Sequence, residues 1–306
     1  MRTDLDHLPA NKQREIERVK NIIFEEFADS IALATMNWKK KGRIDKIILY
    51  GSYARGGWVD EPHTAKGYRS DFDLLIIVSD KRLTDKVDYW LKVEDRLNRE
   101  LAIDKTLHTP VNFIVHTMQE VNDGLAHGRY FFMDVAKDGI ALYEFDDKEL
   151  HKPKPKTPKQ ALDMAREYFD EWMPLAASAQ KGFHFFVSQN ELRDAAFILH
   201  QAAERLYHCV LLVCTFYTPH VHNLGFLRTQ AERIDMRLVD AWPREVKADR
   251  SRFEKLKEAY VKARYSKHYR ISEEELVWLG ERVEELGRAV HAICSERIAL
   301  LEARAK

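Results

Sequence analysis

The fold of this chain is decided by the stretch Ile47-Ile48-Leu49-Tyr50-Gly51-Ser52-Tyr53-Ala54-Arg55-Gly56. Its apolar start is typical of a β-strand, and Gly51 with Ser52 then permits a sharp backbone turn into a short helix. A second strand is indicated by Ser70-Asp71-Phe72-Asp73-Leu74-Leu75-Ile76-Ile77-Val78. Because side chains alternate along a strand, the two aspartates near its start are predicted to point to one face.

A Gly-Ser turn beside two carboxylates suggests a site for a divalent metal ion that carries a nucleoside triphosphate. Backbone amides at a helix start bind phosphate oxygens, and the hard carboxylate oxygens of Asp71 and Asp73 are ligands that magnesium prefers. The alternative interpretation is a strand whose exposed first residues happen to be acidic.

The composition is that of a soluble globular protein, since 45% of the 306 residues are hydrophobic and 32% are charged. A chain of this length can form two domains. Lysine plus arginine equals aspartate plus glutamate, at 49 each. No overall field therefore favours nucleic acid or an anionic membrane, and any site for a polyanion must be local.

The three cysteines, Cys209, Cys214 and Cys294, lack the spacing of a metal site and are interpreted as reduced core thiols. The N-terminus is polar and charged, which does not match a signal peptide, and no apolar run is long enough to cross a bilayer. A cytoplasmic protein with no membrane partner is therefore expected.

The first half alternates helical and strand patterns, which predicts an α+β domain over residues 1–145. The predicted helices are 11–38, 83–101, 118–127 and 130–137, and the predicted strands are 44–50, 72–78, 110–116 and 139–143. The strand 72–78 is apolar on both faces after its aspartates, so we expect it at the centre of the sheet.

A change of composition marks the domain boundary. Residues 146–157 alternate proline and lysine after an acidic start, which favours an extended linker. Residues 158–306 have helical periodicity and predict an all-α bundle of five to six antiparallel helices. The predicted helices are 158–187, 190–216, 224–234, 236–241, 245–263 and 272–302. Ser272 with Glu275 three residues later is a capping-box signature.

The first half resembles the nucleotidyltransferase superfamily that includes DNA polymerase beta, and in particular its minimal and kanamycin-type members. The resemblance rests on the apolar strand into Gly51-Ser52 and on Asp71-Phe72-Asp73, and it covers about residues 40–145. It implies a mixed sheet with flanking helices, a Gly51-Ser52 turn that holds the triphosphate of ATP or another nucleotide, and Mg²⁺ on the aspartates. Arg55 is placed to pair with a phosphate oxygen.

The superfamily has a third carboxylate on the next strand, where it helps to activate the attacking hydroxyl. The corresponding residue here is Asn112, which can ligate a metal through its carbonyl oxygen but can neither act as a base nor supply negative charge. The predicted metal ligands are therefore Asp71, Asp73 and Asn112. The loop between the two motifs is long, and it either brings Asp60 or Glu61 towards the metal or is a simple insertion.

The second half resembles the HEPN domain, a nucleotide-binding helical bundle, over about residues 158–300. The similarity is carried by residues 197–207, by residues 217–224 and by the stretch Ala259-Tyr260-Val261-Lys262-Ala263-Arg264-Tyr265-Ser266-Lys267-His268-Tyr269. Many HEPN domains are metal-independent ribonucleases that use an arginine and a histidine at a dimer interface. The resemblance therefore implies RNA as a ligand and a homodimer as the assembly.

Arg264 and His268 are the catalytic residues that this resemblance implies, because a histidine can move a hydroxyl proton and an arginine can stabilise phosphorane charge. Their gap is shorter than that of the ribonuclease motif, but a spacing of four residues is predicted to place both on one helical face. The alternative is a structural Arg-Tyr-His cluster at a helix junction. His200 and Glu204, also four residues apart, are interpreted as a polar contact at the edge of the core.

Separate proteins of these two families resemble the partners of prokaryotic toxin–antitoxin pairs, in which the transferase adenylylates a tyrosine just beyond the HEPN histidine. Tyr265 and Tyr269 are the nearest equivalents here. The leading hypothesis is a nucleotidyltransferase that binds ATP and Mg²⁺, is fused in cis to a HEPN domain, and uses RNA or its own tyrosine as the acceptor. The alternatives are an antibiotic-type nucleotidyltransferase and a non-catalytic nucleotide sensor or scaffold.

Overall fold

A computed structural model gives the fold over residues 1–58, 70–219 and 221–306. The chain divides into two compact units, and among the described residues the first extends to Pro155 and the second runs from Lys156 to Lys306. Helices and one sheet together make the protein a mixed α and β structure, consistent with the predicted α+β class.

The first unit is built on a four-stranded sheet with the strand order β3-β2-β1-β4. The strands are β1 Ile44–Tyr50, β2 Phe72–Val78, β3 Val111–Thr117 and β4 Ile140–Glu144. β1 is antiparallel to both of its neighbours, β2 and β4, whereas β2 and β3 are parallel. The sheet is therefore mixed. The prediction of a central, doubly buried second strand is confirmed, because every residue of β2 is buried.

Helices cover the sheet on both faces. The α-helices of this unit are α1 Ala10–Ile31, α2 Asn37–Lys40, α3 Gly51–Arg55, α4 Leu91–Arg99, α5 Met118–Ala126 and α6 Tyr130–Asp138. α1 and α4 pack on one face, where Phe27 stacks on Trp90 with the ring centroids 5.2 Å apart. α5 and α6 contact β3 and β1, and Phe132 of α6 meets the imidazole of His116 edge-on at 5.5 Å.

The helix expected over residues 11–38 is shorter than its sequence pattern indicated. α1 ends at Ile31, and Leu33 beyond it is 94% exposed. Leu33 therefore packs against no apolar surface, and amphipathic helices owe most of their stability to such packing. Only the short α2 follows before the sheet begins.

The helix expected over residues 83–101 is regular only in α4. The flanking 3₁₀ turn spans Lys81–Thr84, and the π-helical turns span Lys86–Trp90 and Glu100–Asp104. Trp90 is completely buried, and its indole Nε1 donates a hydrogen bond of 2.6 Å to the carbonyl of Leu83. This hydrogen bond joins the 3₁₀ turn to the π-helical turn, where the backbone departs from α-helical geometry. An amphipathic sequence pattern does not reveal such a departure.

The second unit is helical, as predicted. Its helices are α7 Pro158–Ser188, α8 Leu192–Thr215, α9 Leu224–Glu232, α10 Lys247–Tyr265 and α11 Glu273–Ala305. α8 contacts the other four helices and is buried along most of its length. The most central helix of the bundle therefore carries its most apolar sequence.

Local signals set the helix ends of this unit. Thr157 and Ser272 each close a capping box, with Gln160 and Glu275 respectively, which confirms the signature read at Ser272. The predicted helix over residues 236–241 is instead a single 3₁₀ turn, Met236–Leu238, and the side chain of Asp235 before it accepts a hydrogen bond from the backbone amide of Arg237. No helix within the described ranges is both long enough and apolar enough to cross a membrane.

The cysteines are free thiols of the second unit. Cys209 and Cys294 are completely buried, and burial raises the pKa of the Cys214 thiol to about 12. Because the thiolate is the reactive form, this shift lowers the reactivity expected of Cys214 at neutral pH. The interpretation of the cysteines as reduced core residues agrees with these positions.

Candidate functional site

The turn after β1 and the starts of β2 and β3 lie at one end of the sheet. Tyr50, the last residue of β1, pairs with Asp73 of β2 in the antiparallel register. Asp73 in turn pairs with Asn112 of β3 in the parallel register. Residues paired across neighbouring strands project to the same face, so the side chains of Asp73 and Asn112 lie next to each other.

Asp71 joins this group from the residue just before β2. The amide Nδ2 of Asn112 donates a hydrogen bond of 2.8 Å to Oδ2 of Asp71. Asp71 and Asn112 are half-buried, whereas Asp73 is 0% exposed. The three predicted ligands are therefore brought together, with Asp73 as the inner member and the other two nearer to solvent.

The Gly-Ser turn adjoins this group. Gly51 has a φ of 79°, a left-handed conformation that glycine adopts readily and that residues with a Cβ rarely adopt. The backbone amides of Gly56 and Gly57 donate to the carbonyl of Ser52 and close the helical turn α3. Because Gly51 directly follows Tyr50, the turn begins at the end of the sheet that carries Asp73.

Residues near the N-terminus hold the far end of α3. Nη2 of Arg2 donates a hydrogen bond of 2.9 Å to the carbonyl of Ala54, and Nε2 of His7 donates one of 2.8 Å to the carbonyl of Tyr53. The last carbonyls of any helix need such external donors. The indole of Trp58 stacks on the Tyr53 ring at 5.4 Å. Sequence reasoning missed the contacts of Arg2 and His7, because they join residues about fifty positions apart.

A buried pair on α1 fixes the entry to β3. Oε2 of Glu15 accepts hydrogen bonds of 2.9 Å from the backbone amides of His108 and Thr109. Nζ of Lys12 donates a hydrogen bond of 2.6 Å to the hydroxyl of Thr109 and lies 3.6 Å from Oε1 of Glu15. Asn112 follows this anchored segment by three residues, so α1 helps to place the Asn112 amide beside the aspartates.

Arg55, the predicted phosphate contact, is exposed at the end of α3. Its charge acts on Asp134 of α6, a helix that contacts α3. Loss of hydration raises the pKa of Asp134, the neighbouring Asp138 raises it further, and Arg55 opposes both effects. Arg55 thus has an acidic neighbour that the sequence did not single out.

The predicted ligands fit a magnesium ion that shares its coordination with a nucleotide. Such an ion uses one or two carboxylates and takes its other oxygens from phosphates and water, and Asp71 with Asp73 supplies two. In the parts of the chain that the structure describes, no group of three or more His, Cys, Asp or Glu residues is arranged to hold a metal ion. Asp60 and Glu61, the alternative loop ligands, lie outside the described residues.

The prediction that Arg264 and His268 share a helical face is wrong. α10 ends at Tyr265, Ser266 has extended backbone angles, and His268 lies in the turn that follows. The guanidinium of Arg193 accounts for this end, because it donates to the carbonyls of Ala263 and Ser266 that a longer helix would have paired internally.

Arg264 instead lies against aromatic rings. Its Cζ is 4.5 Å from the ring centroid of Tyr260, 4.7 Å from that of Phe197 and 5.0 Å from that of Tyr265. Nε donates a hydrogen bond of 2.7 Å to the carbonyl of Tyr260. The guanidinium is exposed, and no carboxylate in the described chain forms an ion pair with it.

The two candidate acceptor tyrosines differ sharply in accessibility. Tyr265 is 76% exposed at the end of α10. Tyr269 is 4% exposed and its hydroxyl donates a hydrogen bond of 3.0 Å to the carbonyl of Lys255. Burial raises the pKa of the Tyr269 hydroxyl well above its usual value. Only Tyr265 presents its hydroxyl to a second reactant.

The buried carboxylate of Glu204 on α8 is surrounded by imidazoles. Nδ1 of His222 is 3.1 and 3.2 Å from the two oxygens of Glu204. Nδ1 of His200 and Nε2 of His208 lie 3.6 and 3.8 Å from the same carboxylate. Burial opposes ionisation of Glu204, but the imidazoles of His208 and His222 outweigh it, and the pKa of the carboxyl is lowered.

The sequence indicated only part of this cluster. The contact between His200 and Glu204 follows from their spacing of four residues on α8, and burial lowers the pKa of His200 to about 4. His222 comes from the segment before α9, and its ring stacks on Tyr260 at 4.2 Å. No local spacing relates His222 to α8 or α10, so only the fold could reveal it.

No protein-family model matches this chain, and no curated protein matches it either. What the protein does is therefore inferred from its own residues.

Proposed function

We propose that the first unit is a nucleotidyltransferase-like domain that binds a nucleoside triphosphate with Mg²⁺, with ATP as the first candidate. The observation that carries this proposal is the meeting of Asp71, Asp73 and Asn112, joined by the 2.8 Å hydrogen bond, at the sheet end where Gly51 makes its turn. Two carboxylates beside a tight glycine turn suit a metal-bound triphosphate.

The reaction is nucleotidyl transfer. An acceptor hydroxyl oxygen forms a new bond to the α-phosphorus, the bond from that phosphorus to the bridging oxygen breaks, and pyrophosphate leaves. Bound magnesium supplies neutralisation of the phosphate charge. Asp71 and Asp73 would hold the cation, and Arg55 would contact a phosphate oxygen. Asn112 cannot take the hydroxyl proton, so this proton passes to water.

The acceptor is a protein tyrosine or RNA. Tyr265 is favoured over Tyr269 because its hydroxyl is exposed, whereas that of Tyr269 is buried in a hydrogen bond. The second unit is proposed as a HEPN-like bundle that forms a homodimer.

The test is Mg²⁺-dependent release of pyrophosphate from ATP by the full chain. We expect the variant Asp71→Asn, Asp73→Asn to lose at least about a hundredfold in rate, because both ligands lose their charge. A matched control is Asp147→Ala, Glu149→Ala, which removes two exposed acids elsewhere in the unit. Equal pyrophosphate release by wild type and the Asp71, Asp73 variant would refute transfer at this site.

A second candidate function is nucleotide sensing without transfer, and Asn112 is the observation that favours it. A site with two carboxylates and an amide can bind a metal-nucleotide complex yet has no third acid to act as a base. Under this function, ATP binding depends on Mg²⁺ and on both aspartates, but no pyrophosphate appears. Calorimetric titration beside the pyrophosphate assay separates the two functions.

A further inference from the structure

We infer that two copies of this chain pair along the outer edge of β3, and that each copy thereby places its His116 opposite Asn112 of the other. The contact lies in the first unit, so it is distinct from the proposed homodimer of the helical unit. The pairing itself depends on no activity, whereas the role given to His116 in the site rests on the proposed function.

β3 is an edge strand that lacks the features by which proteins protect such edges. In the sheet as the structure describes it, β2 is its one neighbour. The seven residues of β3 include no proline and no lysine, arginine, aspartate or glutamate, and its ladder with β2 runs without a bulge. An unprotected edge of this length is a template for pairing with another strand.

The opposite edge of the sheet shows how this chain protects a strand. The carbonyl of Arg2 accepts a hydrogen bond of 2.9 Å from the amide of Ala141, and Arg2 forms a parallel bridge with Ile140. The ladder between β4 and β1 also has a register shift between Ile47 and Ile48. A covering segment and an irregular register are common protections of edge strands. β3 shows neither among the described residues, so it is the edge open to a partner.

The ladder with β2 determines which backbone groups of β3 point outward. The amide of Phe72 donates a hydrogen bond of 2.8 Å to the carbonyl of Pro110. Because successive residues of a strand direct their backbone groups to opposite sides, the even-numbered residues 112–116 bond to β2 and the odd-numbered residues 111–115 face the open edge. No backbone group elsewhere in the described chain pairs with those odd-numbered residues. An added strand must therefore pair with them.

A second β3 strand fits this edge in an antiparallel register centred on Ile114. In that register Phe113 lies opposite Val115 and exchanges backbone hydrogen bonds with it. Asn112 lies opposite His116, so polar residues meet polar ones and apolar residues meet apolar ones. A centre at residue 113 or 115 would instead put Asn112 or His116 opposite Ile114. The sequence of β3 thus matches itself about its midpoint, as pairing about a two-fold axis requires.

This register brings a histidine to the candidate site. In antiparallel pairs of the kind that Asn112 and His116 would form, the Cα atoms are about 4.5 Å apart and the side chains share one face. Asn112 contacts Asp71 and lies beside Asp73 on that face. The imidazole of the second copy therefore lies next to two carboxylates. This complementarity of charge favours a second copy over a purely apolar partner.

His116 is oriented by its own copy. Its Nδ1 lies 3.4 Å from Oε2 of Glu120, and its ring meets that of Phe132 edge-on at 5.5 Å. Under the proposed function, the second copy's His116 is a positioning residue that holds the water to which the hydroxyl proton passes. Asn112 provides no base for that proton, so each site is complete only in the pair.

Disulfide cross-linking tests the pairing without reference to activity. The full-length variant Asn112→Cys, His116→Cys is oxidised with glutathione disulfide, and covalent dimers are measured by non-reducing electrophoresis and peptide mass spectrometry. The expected Cα separation suits a disulfide, whereas positions 112 and 116 of one strand are too far apart to form one. Thermal unfolding checks that the variant is folded.

The matched control is Asn112→Cys, Thr117→Cys, which moves one thiol by a single residue to the other face of the strand. We expect at least about fivefold more covalent dimer from the variant with thiols at 112 and 116, linked between these positions. Equal cross-linking of the two variants, or none in either, would overturn the pairing.

Complementation tests the role of His116. His116→Gln and the variant Asp71→Asn, Asp73→Asn are produced in one host with different affinity tags and purified as mixed assemblies. One site of the mixed pair then has both aspartates and receives His116 from the second copy. We expect at least about tenfold more pyrophosphate release from this mixture than from His116→Gln alone. A histidine needed only within its own copy would give no such restoration.

The two experiments separate the possible failures. If wild type releases pyrophosphate but the mixture shows no restoration, the role of His116 is overturned. If wild type releases none, the proposed transfer fails and the role of His116 fails with it, while the cross-linking result decides the pairing independently.

Discussion

The side-chain amide of Asn112 donates a hydrogen bond of 2.8 Å to the carboxylate of Asp71. The bond joins the start of β3 to the residue before β2, and under the proposed function Asn112 stands where a nucleotidyltransferase is expected to have a third acid. An amide here stabilises two closely spaced carboxylates, because it donates to one of them without adding charge. The same choice removes a base from the proposed reaction.

The substitution Asn112→Asp tests both effects, the stabilisation of the two carboxylates and the loss of a base. In EDTA we expect the variant to lose about 1–3 kcal/mol of unfolding free energy, because a donor becomes a like charge beside Asp71. Mg²⁺ should restore most of this loss, and pyrophosphate release should rise at least about tenfold, since a carboxylate can take the hydroxyl proton. Urea unfolding with and without Mg²⁺ measures the first effect. Asn112→Ala, which removes the donor without adding a charge, is the control. If Asn112→Asp loses the same unfolding free energy with Mg²⁺ as without it, the prediction is contradicted.

Glu15→Gln is expected to destabilise the first unit by about 1–3 kcal/mol. Its buried carboxylate accepts hydrogen bonds from two backbone amides at the entry to β3 and lies beside Lys12, so the variant removes the negative charge that these three groups face. Glu17→Gln on the same helix is the matched control. Glu17 pairs with Lys20 at the surface, where such a pair contributes less than about 1 kcal/mol. Equal urea midpoints for the two variants would show that the contacts of Glu15 at the entry to β3 do not contribute to the stability of the unit.

Replacing Tyr269 or Tyr265 by phenylalanine is expected to have opposite effects on stability and on self-modification. Tyr269→Phe should lower the unfolding free energy by about 1 kcal/mol, since it removes the buried hydrogen bond to Lys255, and should leave self-modification intact. Tyr265→Phe should leave stability within about 0.5 kcal/mol and abolish the attached nucleotidyl group. Denaturation and intact-mass spectrometry give the two readouts. A nucleotidyl group found on Tyr269 would reverse the assignment.

His200 predicts a pH dependence of stability. Burial lowers its pKa from 6.5 to about 4. Between these values the unfolded chain binds a proton that the folded chain does not, so the unfolding free energy falls as the pH falls through this window. The contribution is on the order of 3 kcal/mol. Unfolding at pH 7 and at pH 4.5 should show a smaller loss in His200→Leu than in wild type. His268→Gln should keep the wild-type slope, and identical slopes in all three proteins would exclude His200 as the cause.

The strands of the first unit could be read from the sequence almost residue by residue. Short apolar runs bounded by Gly, Pro or charged residues have few alternatives, and β1 and β2 coincide with the predicted ranges. Asp71, Asp73 and Asn112 could be grouped because strand starts gather at one end of a sheet. The ends of the helices were harder to predict. The end of α1 depends on where its packing against the core stops, and the end of α10 depends on the guanidinium of Arg193 from α8.

The pair of Glu204 and His222 lay beyond sequence reasoning for a different reason. The two residues are eighteen positions apart, and His222 belongs to an irregular segment that has no periodicity. Arg264 and His268 are the opposite case, in which the spacing predicted a shared position that the fold does not have. Their spacing suggested a shared face, but the extended backbone at Ser266 separates them. Spacing is informative only while the helix continues, and composition alone does not show where it stops.

The strand order β3-β2-β1-β4 has a consequence for the synthesis of this protein. β1 is a central strand, yet one of its neighbours, β4, lies about ninety residues later in the chain. The backbone of Arg2 also pairs with Ala141. The nascent first unit therefore remains an incomplete sheet with an open β1 edge until residue 144 has left the ribosome. Such an unpaired edge can pair with other chains, so a chain interrupted before residue 144 is expected to be more prone to aggregation than the finished unit.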